Sequence, residues 1–127
     1  MYHSISDEDP SNNLLVPPAM FEEQMAWLEA NNFTAMNMDE ALEAMRTGKV
    51  PKRPVVITFD DGYANNYTSA FPSLKNHKLK ATFFVITDGV DNGYYMSSDN
   101  LKETNYSLLF SFKKIKIHTK EINNKIT

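Results

Sequence analysis

The chain has 127 residues, 42% hydrophobic and 12% aromatic, which is enough for a packed core and too apolar for a disordered segment. Its net charge of −3 excludes nucleic acid as a main partner, because phosphate binding needs clustered Lys and Arg. Cysteine is absent, so there is no disulfide framework, and a metal ion could be held only by His and carboxylate ligands.

In chain order, Met1 is followed by Tyr2-His3-Ser4-Ile5-Ser6 and an acidic stretch ending at Pro10, without the basic start and apolar core of a secretory signal. No apolar run approaches the about 20 residues that a membrane helix needs. The chain is therefore expected to carry neither an export signal nor a membrane span. Residues 7–18, rich in Asp, Asn and Pro, read as a loop. Phe21, Met25 and Leu28 then recur at helical spacing with Trp27 beside them; Pro18 suits the first turn and Asn31-Asn32 the stop. Residues 33–36 read as a short strand. Asp39 is the expected cap of a second helix with Ala41, Leu42 and Met45 as its apolar stripe and Gly48 just past its end.

Val55 to Phe59 is a nearly unbroken apolar, β-branched run, as expected of a strand covered on both faces in a parallel sheet. Asp60-Asp61-Gly62 ends it. A helix is expected over residues 65–76 with Ala70 and Leu74 inward, kinked by Pro72 or confined to its later part. Ala81 to Ile86 reads as a second buried strand, which completes a βαβ unit and places the chain in the α/β class. Residues 88–93 are turn-like, and Ser97-Ser98-Asp99 could cap a further short helix. His77 falls on a charged helix end and reads as solvated, while Trp27 and the methionines read as core. From residue 112 onward Lys, Ile, Asn and Thr dominate; this tail carries a net +4 against −7 for the rest. The division expected is a domain over 1–103 and an atypical tail over 104–127, in which a shifted reading frame would explain the change of composition.

Adjacent carboxylates at the carboxyl end of a buried parallel strand occupy the edge where α/β folds gather their ligand sites. Neighbouring side chains there diverge, so one Asp could hold a metal while the other remains free as a base. Asp-Asp-Gly after a strand is also ordinary turn chemistry.

The surroundings favour the first reading. Thr58-Phe59-Asp60-Asp61-Gly62-Tyr63 resembles the first signature of the polysaccharide deacetylases (carbohydrate esterase family 4). The likeness continues through Phe21 to Leu28, Asp39 to Leu42, Phe71-Pro72-Ser73-Leu74 and Lys80 to Val85, over roughly residues 2–103. That resemblance implies a distorted (β/α) barrel, present here in part, with a divalent metal, often zinc in this family. It also implies an N-acetylated polysaccharide of the N-acetylglucosamine type as substrate, often met at the cell envelope or outside the cell. It makes Asp60 the general base and Asp61 a metal ligand. Tyr2-His3-Ser4-Ile5 is similar to the first-strand motif of the circularly permuted branch, which includes the poly-N-acetylglucosamine deacetylases, and this makes His3 the general acid. The family's second signature, His-[Ser/Thr]-x-x-His, supplies its remaining ligands. The nearest match here is His118-Thr119-Lys120-Glu121-Ile122, with Ile122 in place of the second imidazole.

Two other readings stand beside this one. A truncated, catalytically incompetent piece of such an enzyme would share its ancestry, lack the histidine pair, and expose strand edges and apolar helix faces. A Mg²⁺-binding phosphotransfer module also uses an acidic pair after a parallel strand, but the residues around Asp60 do not resemble one.

Overall fold

The computed structural model describes residues 1–106 and 110–115. Two-residue strands β1 (Ser4–Ile5) and β2 (Leu15–Val16) precede helix α1 (Pro18–Ala30) and strand β3 (Thr34–Met36). Helix α2 (Met38–Thr47) leads to β4 (Pro54–Phe59). A π turn (Asn66–Ala70) and α3 (Phe71–Asn76) lead to β5 (Ala81–Ile86), and α4 (Ser98–Tyr106) leads to β6 (Phe110–Ile115). Strands β3, β4, β5 and β6 lie side by side in chain order, and each pairs with the next in parallel. Sequential parallel strands joined through helices are the singly wound construction of a (β/α) barrel; open nucleotide-binding sheets reverse direction partway. The α/β class and the partial barrel are as expected. The structure adds β2 inside the segment read as loop, and β6 inside the segment set apart as a tail.

Pro72 has no amide hydrogen to continue a long helix, and the chain divides where it stands. The π turn ends at Ala70, and α3 restarts with Pro72 in its first turn. Ala70 and Leu74 both point inward at 0% exposure.

The core forms around β4. Phe59 stacks on Phe83 of β5 at 4.8 Å and on Tyr2 at 5.4 Å, and Phe21 of α1 meets the Tyr2 ring edge-on at 5.0 Å. Phe21, Phe59 and Phe83 are fully buried, each contributing about 1.5–3 kcal/mol by leaving water. Ile57 shares this face, but Val55, Val56 and Thr58 are only half-buried, so β4 is not fully covered on both faces as its apolar run suggests. Trp27 is 56% exposed over an open groove floored by Val55 and Val56 and is not core.

Helix α2 departs from expectation in its phase. Its cap is Asn37, two residues before Asp39. The Glu40 amide donates to the Asn37 side chain at 2.9 Å, and the Glu40 carboxylate accepts from the Asn37 amide at 3.1 Å. Lys80, just before β5, reaches the other Glu40 oxygen, and the Met38 amide donates to the Thr82 hydroxyl at 2.9 Å. Fixed in this phase, α2 turns the small Ala41 and Ala44 to the sheet and leaves Leu42 and Met45 outside.

His77 is not solvated. Its Nε2 lies 2.6 Å from Glu22 and its Nδ1 2.6 Å from Glu29, both on α1, and its side chain is only 10% exposed. Ser73 of α3 donates its hydroxyl to the second Glu22 oxygen. Among the described residues no helix is long and apolar enough to cross a membrane.

Candidate active site at the carboxyl end of strand β4

The site is assembled by backbone pairing between the beginning of the chain and β4. β5 occupies one edge of β4 from Ile57 to Phe59, and β3 occupies the other edge only as far as Val56. Tyr2 takes the edge beyond: its amide donates to the Thr58 carbonyl at 2.8 Å, and its carbonyl accepts from the Asp60 amide at 2.9 Å. The next residue, His3, thereby comes beside Asp60. Nε2 of His3 and Oδ2 of Asp60 are 3.9 Å apart, with side chains 22% and 35% exposed. That distance is longer than a hydrogen bond, and a water about 2.8 Å from both atoms would complete a triangle with them.

The turn after β4 is made by two consecutive left-handed residues, Asp61 (φ 72°) and Gly62 (φ 78°). Asp is among the few side chains that adopt this conformation readily. The reversal returns the Asp61 carbonyl to β5, where it accepts from the Ile86 amide at 3.3 Å. Asp60 and Asp61 are both partly exposed. Burial, then the Asp61 charge, raises the Tyr63 phenol above its ordinary value of 10.0.

Asn65 holds the other side of the site. Its Oδ1 accepts from the Ile5 amide at 3.0 Å, and its Nδ2 donates to the Ser4 hydroxyl at 2.7 Å, tying β1 to the segment that leaves the turn after β4. Reading the sequence missed Asn65. An Asn after a turn gives no sign that its partners lie some 60 residues earlier.

Zinc sites use three or four protein ligands. Among the described residues no group of three or more His, Cys, Asp and Glu is gathered to hold a metal, so these residues do not complete a metal centre by themselves. His118 and Ile122, the nearest match to a histidine pair, lie outside the described residues.

A singly wound parallel sheet with carboxylates and an imidazole at its carboxyl edge has the layout of a (β/α)-barrel site. The chain belongs to the polysaccharide deacetylase family, whose model matches residues 47–119; members of this family are metal-dependent. It is 39% identical over 104 residues to YxkH of Bacillus subtilis (strain 168), a protein named for the polysaccharide deacetylases, covering 81% of this chain and 36% of that one. It is 34% identical over 117 residues to a poly-β-1,6-N-acetyl-D-glucosamine N-deacetylase of Staphylococcus aureus (strain MSSA476), covering 88% of this chain and 39% of the relative. The solved structure of the Streptococcus pyogenes deacetylase PplD in complex with acetate superposes with a TM-score of 0.82 at 28% identity, over 89% of this chain and 53% of that one. The chain thus spans little more than a third of the length of these curated relatives.

Proposed function

We propose that this chain carries the acid–base groups of a deacetylase that hydrolyses the N-acetyl amide of an N-acetylglucosamine polymer. The observation that carries the reading is the His3–Asp60 pair at the carboxyl end of β4, with one member from the start of the chain and the other from the end of its central strand. Asp60 is the general base: it takes a proton as water adds to the acetyl carbonyl carbon. His3, as imidazolium, gives its proton to the nitrogen as the carbon–nitrogen bond breaks, so acetate and a free amine leave. Asp61 would be one ligand of the family's divalent metal, taken to be zinc; among the described residues no group of three or more such ligands is gathered. When bound, such an ion polarises the carbonyl and acidifies water. The S. aureus relative is named for a β-1,6-linked N-acetylglucosamine polymer, which supports the choice of substrate class.

Acetate release from a β-1,6-linked N-acetylglucosamine oligomer in the presence of Zn²⁺ tests this. Asp60→Asn should lower the rate by about 10²–10⁴-fold, as for loss of a general base. An Asp60→Asn rate equal to that of the wild-type chain, or no release from the wild-type chain, overturns the assignment.

A further inference from the structure

Three tyrosines form an aromatic corner against the candidate catalytic turn. Tyr63 follows Gly62 directly and stacks on Tyr95 at 5.4 Å with 23° between the rings. Tyr94 stands nearly perpendicular to both, at 77° to Tyr63 and 84° to Tyr95. The loop is fastened to the turn: the Ala64 amide donates to the Tyr94 carbonyl at 3.1 Å, and the Met96 amide to the Gly62 carbonyl at 2.9 Å. Oδ1 of Asn92 accepts from the amides of Tyr94 and Tyr95 at 2.9 and 3.2 Å.

The three rings do not share one role. Tyr95 serves the fold: its ring sits where any side chain at Gly89 would be, so glycine is required there. Tyr63 is partly buried and directly follows the turn that carries Asp61. Tyr94 does neither. Its ring is 65% exposed, yet its backbone is held on both sides by the hydrogen bonds above. An aromatic surface kept rigid in water loses little conformational entropy when a ligand covers it.

We infer that the Tyr63–Tyr94–Tyr95 corner is a sugar-binding subsite, in which the Tyr94 ring stacks against a pyranose of the polymer next to the residue being deacetylated. The inference rests on the deacetylase reading above. A pyranose presents a face of C–H groups that packs flat on an aromatic ring and a rim of hydroxyls that a tyrosine hydroxyl can meet. The corner adjoins Asp61 through Tyr63, so a sugar held there lies within one polymer of the His3–Asp60 pair. Stacking of this kind selects for a chain of sugars over a single acetylated unit, because only a polymer can fill the subsite and the reacting position together.

The test is titration calorimetry of the full chain with a β-1,6-linked N-acetylglucosamine pentasaccharide, alongside the acetate assay. Tyr94→Ala should bind about tenfold more weakly and Tyr94→Trp close to the wild type, since the exposed position tolerates either and only the second keeps a stacking face. Equal binding by Tyr94→Ala overturns the subsite and leaves the deacetylase reading standing. Acetate release with no difference between pentasaccharide and monosaccharide also overturns it. A wild-type chain that neither binds nor releases acetate overturns the subsite and the reading beneath it.

Discussion

At Gly62 the demand for glycine has two separable causes. Its φ of 78° lies where a side chain is strained, and a Cβ there would meet the two Val85 methyls at 3.1 and 3.3 Å. Each left-handed non-glycine residue costs on the order of 1–3 kcal/mol, so Gly62→Ala should destabilise the fold by about that much. Urea unfolding measures it, and a change below about 0.5 kcal/mol would show that the turn gives way freely. Asp61, at φ 72°, already bears such strain as a residue that tolerates it. This juxtaposition makes the turn a means of separating two adjacent carboxylates. Asp60 ends the strand and faces His3, while Asp61 takes the left-handed position that reverses the chain.

Between elements, α1 and α3 are joined by charge. Both His77 ring nitrogens face carboxylate oxygens, so the imidazolium can donate twice, whereas the neutral ring would set an acceptor nitrogen against an anion. Hydrogen bonding to Glu29, then to Glu22, raises the His77 pKa above its ordinary 6.5. The stability this adds is fully present below pH 6.5 and is lost as pH rises through the higher folded-state value. Glu22 behaves oppositely: Ser73, then His77, lowers its pKa below 4.5, so its contribution holds above that pH and fails as pH falls through the depressed value. The bridge is therefore strongest in mildly acidic solution. His77→Gln should cost up to about 1 kcal/mol at pH 6 and less at pH 9, the glutamates being half-exposed. Melting curves of both proteins at the two pH values check this, and equal losses would refute the bridge. At the start of α2, Asn37→Ala removes the cap and should cost about 1 kcal/mol, whereas Asp39→Ala, expected from sequence to be the damaging change, should cost less; thermal unfolding of the two variants decides between the caps.

For the molecule as a whole, the two central strands were legible because local chemistry determines them: Val55 to Phe59 and Ala81 to Ile86 are apolar runs ended by turn residues, and β4 and β5 follow them closely. Asp60 and Asp61 stood out by their place at the end of a buried strand, whereas the role proposed for each, and His3 altogether, came only through the family resemblance. The phase of α2 was not, because Asn37 and Asp39 are equally good caps locally and Lys80 and Thr82, on a later strand, decide between them. Nor was the way β1 is held, since it depends on a side chain about 60 residues away. That dependence makes Asn65 the long-range support of the site. His3 is carried between Tyr2, paired to β4, and Ser4-Ile5, bonded to Asn65. Asn65→Ala leaves the Ile5 amide without its acceptor, at a cost of about 1–3 kcal/mol if water cannot replace it. The cost should fall on β1 locally, because the core around Phe59 and Phe83 does not contain Asn65. Asn65→Asp keeps an acceptor for Ile5 and should restore most of the support. Hydrogen exchange is the direct readout: the Ile5 amide should exchange faster in Asn65→Ala and near the wild-type rate in Asn65→Asp, while amides of β5 stay protected in both. Uniform acceleration across β4 and β5 would instead show that Asn65 supports the whole sheet, and the placement of His3 would then rest on the Tyr2 pairing to β4 and the β1–β2 pairing.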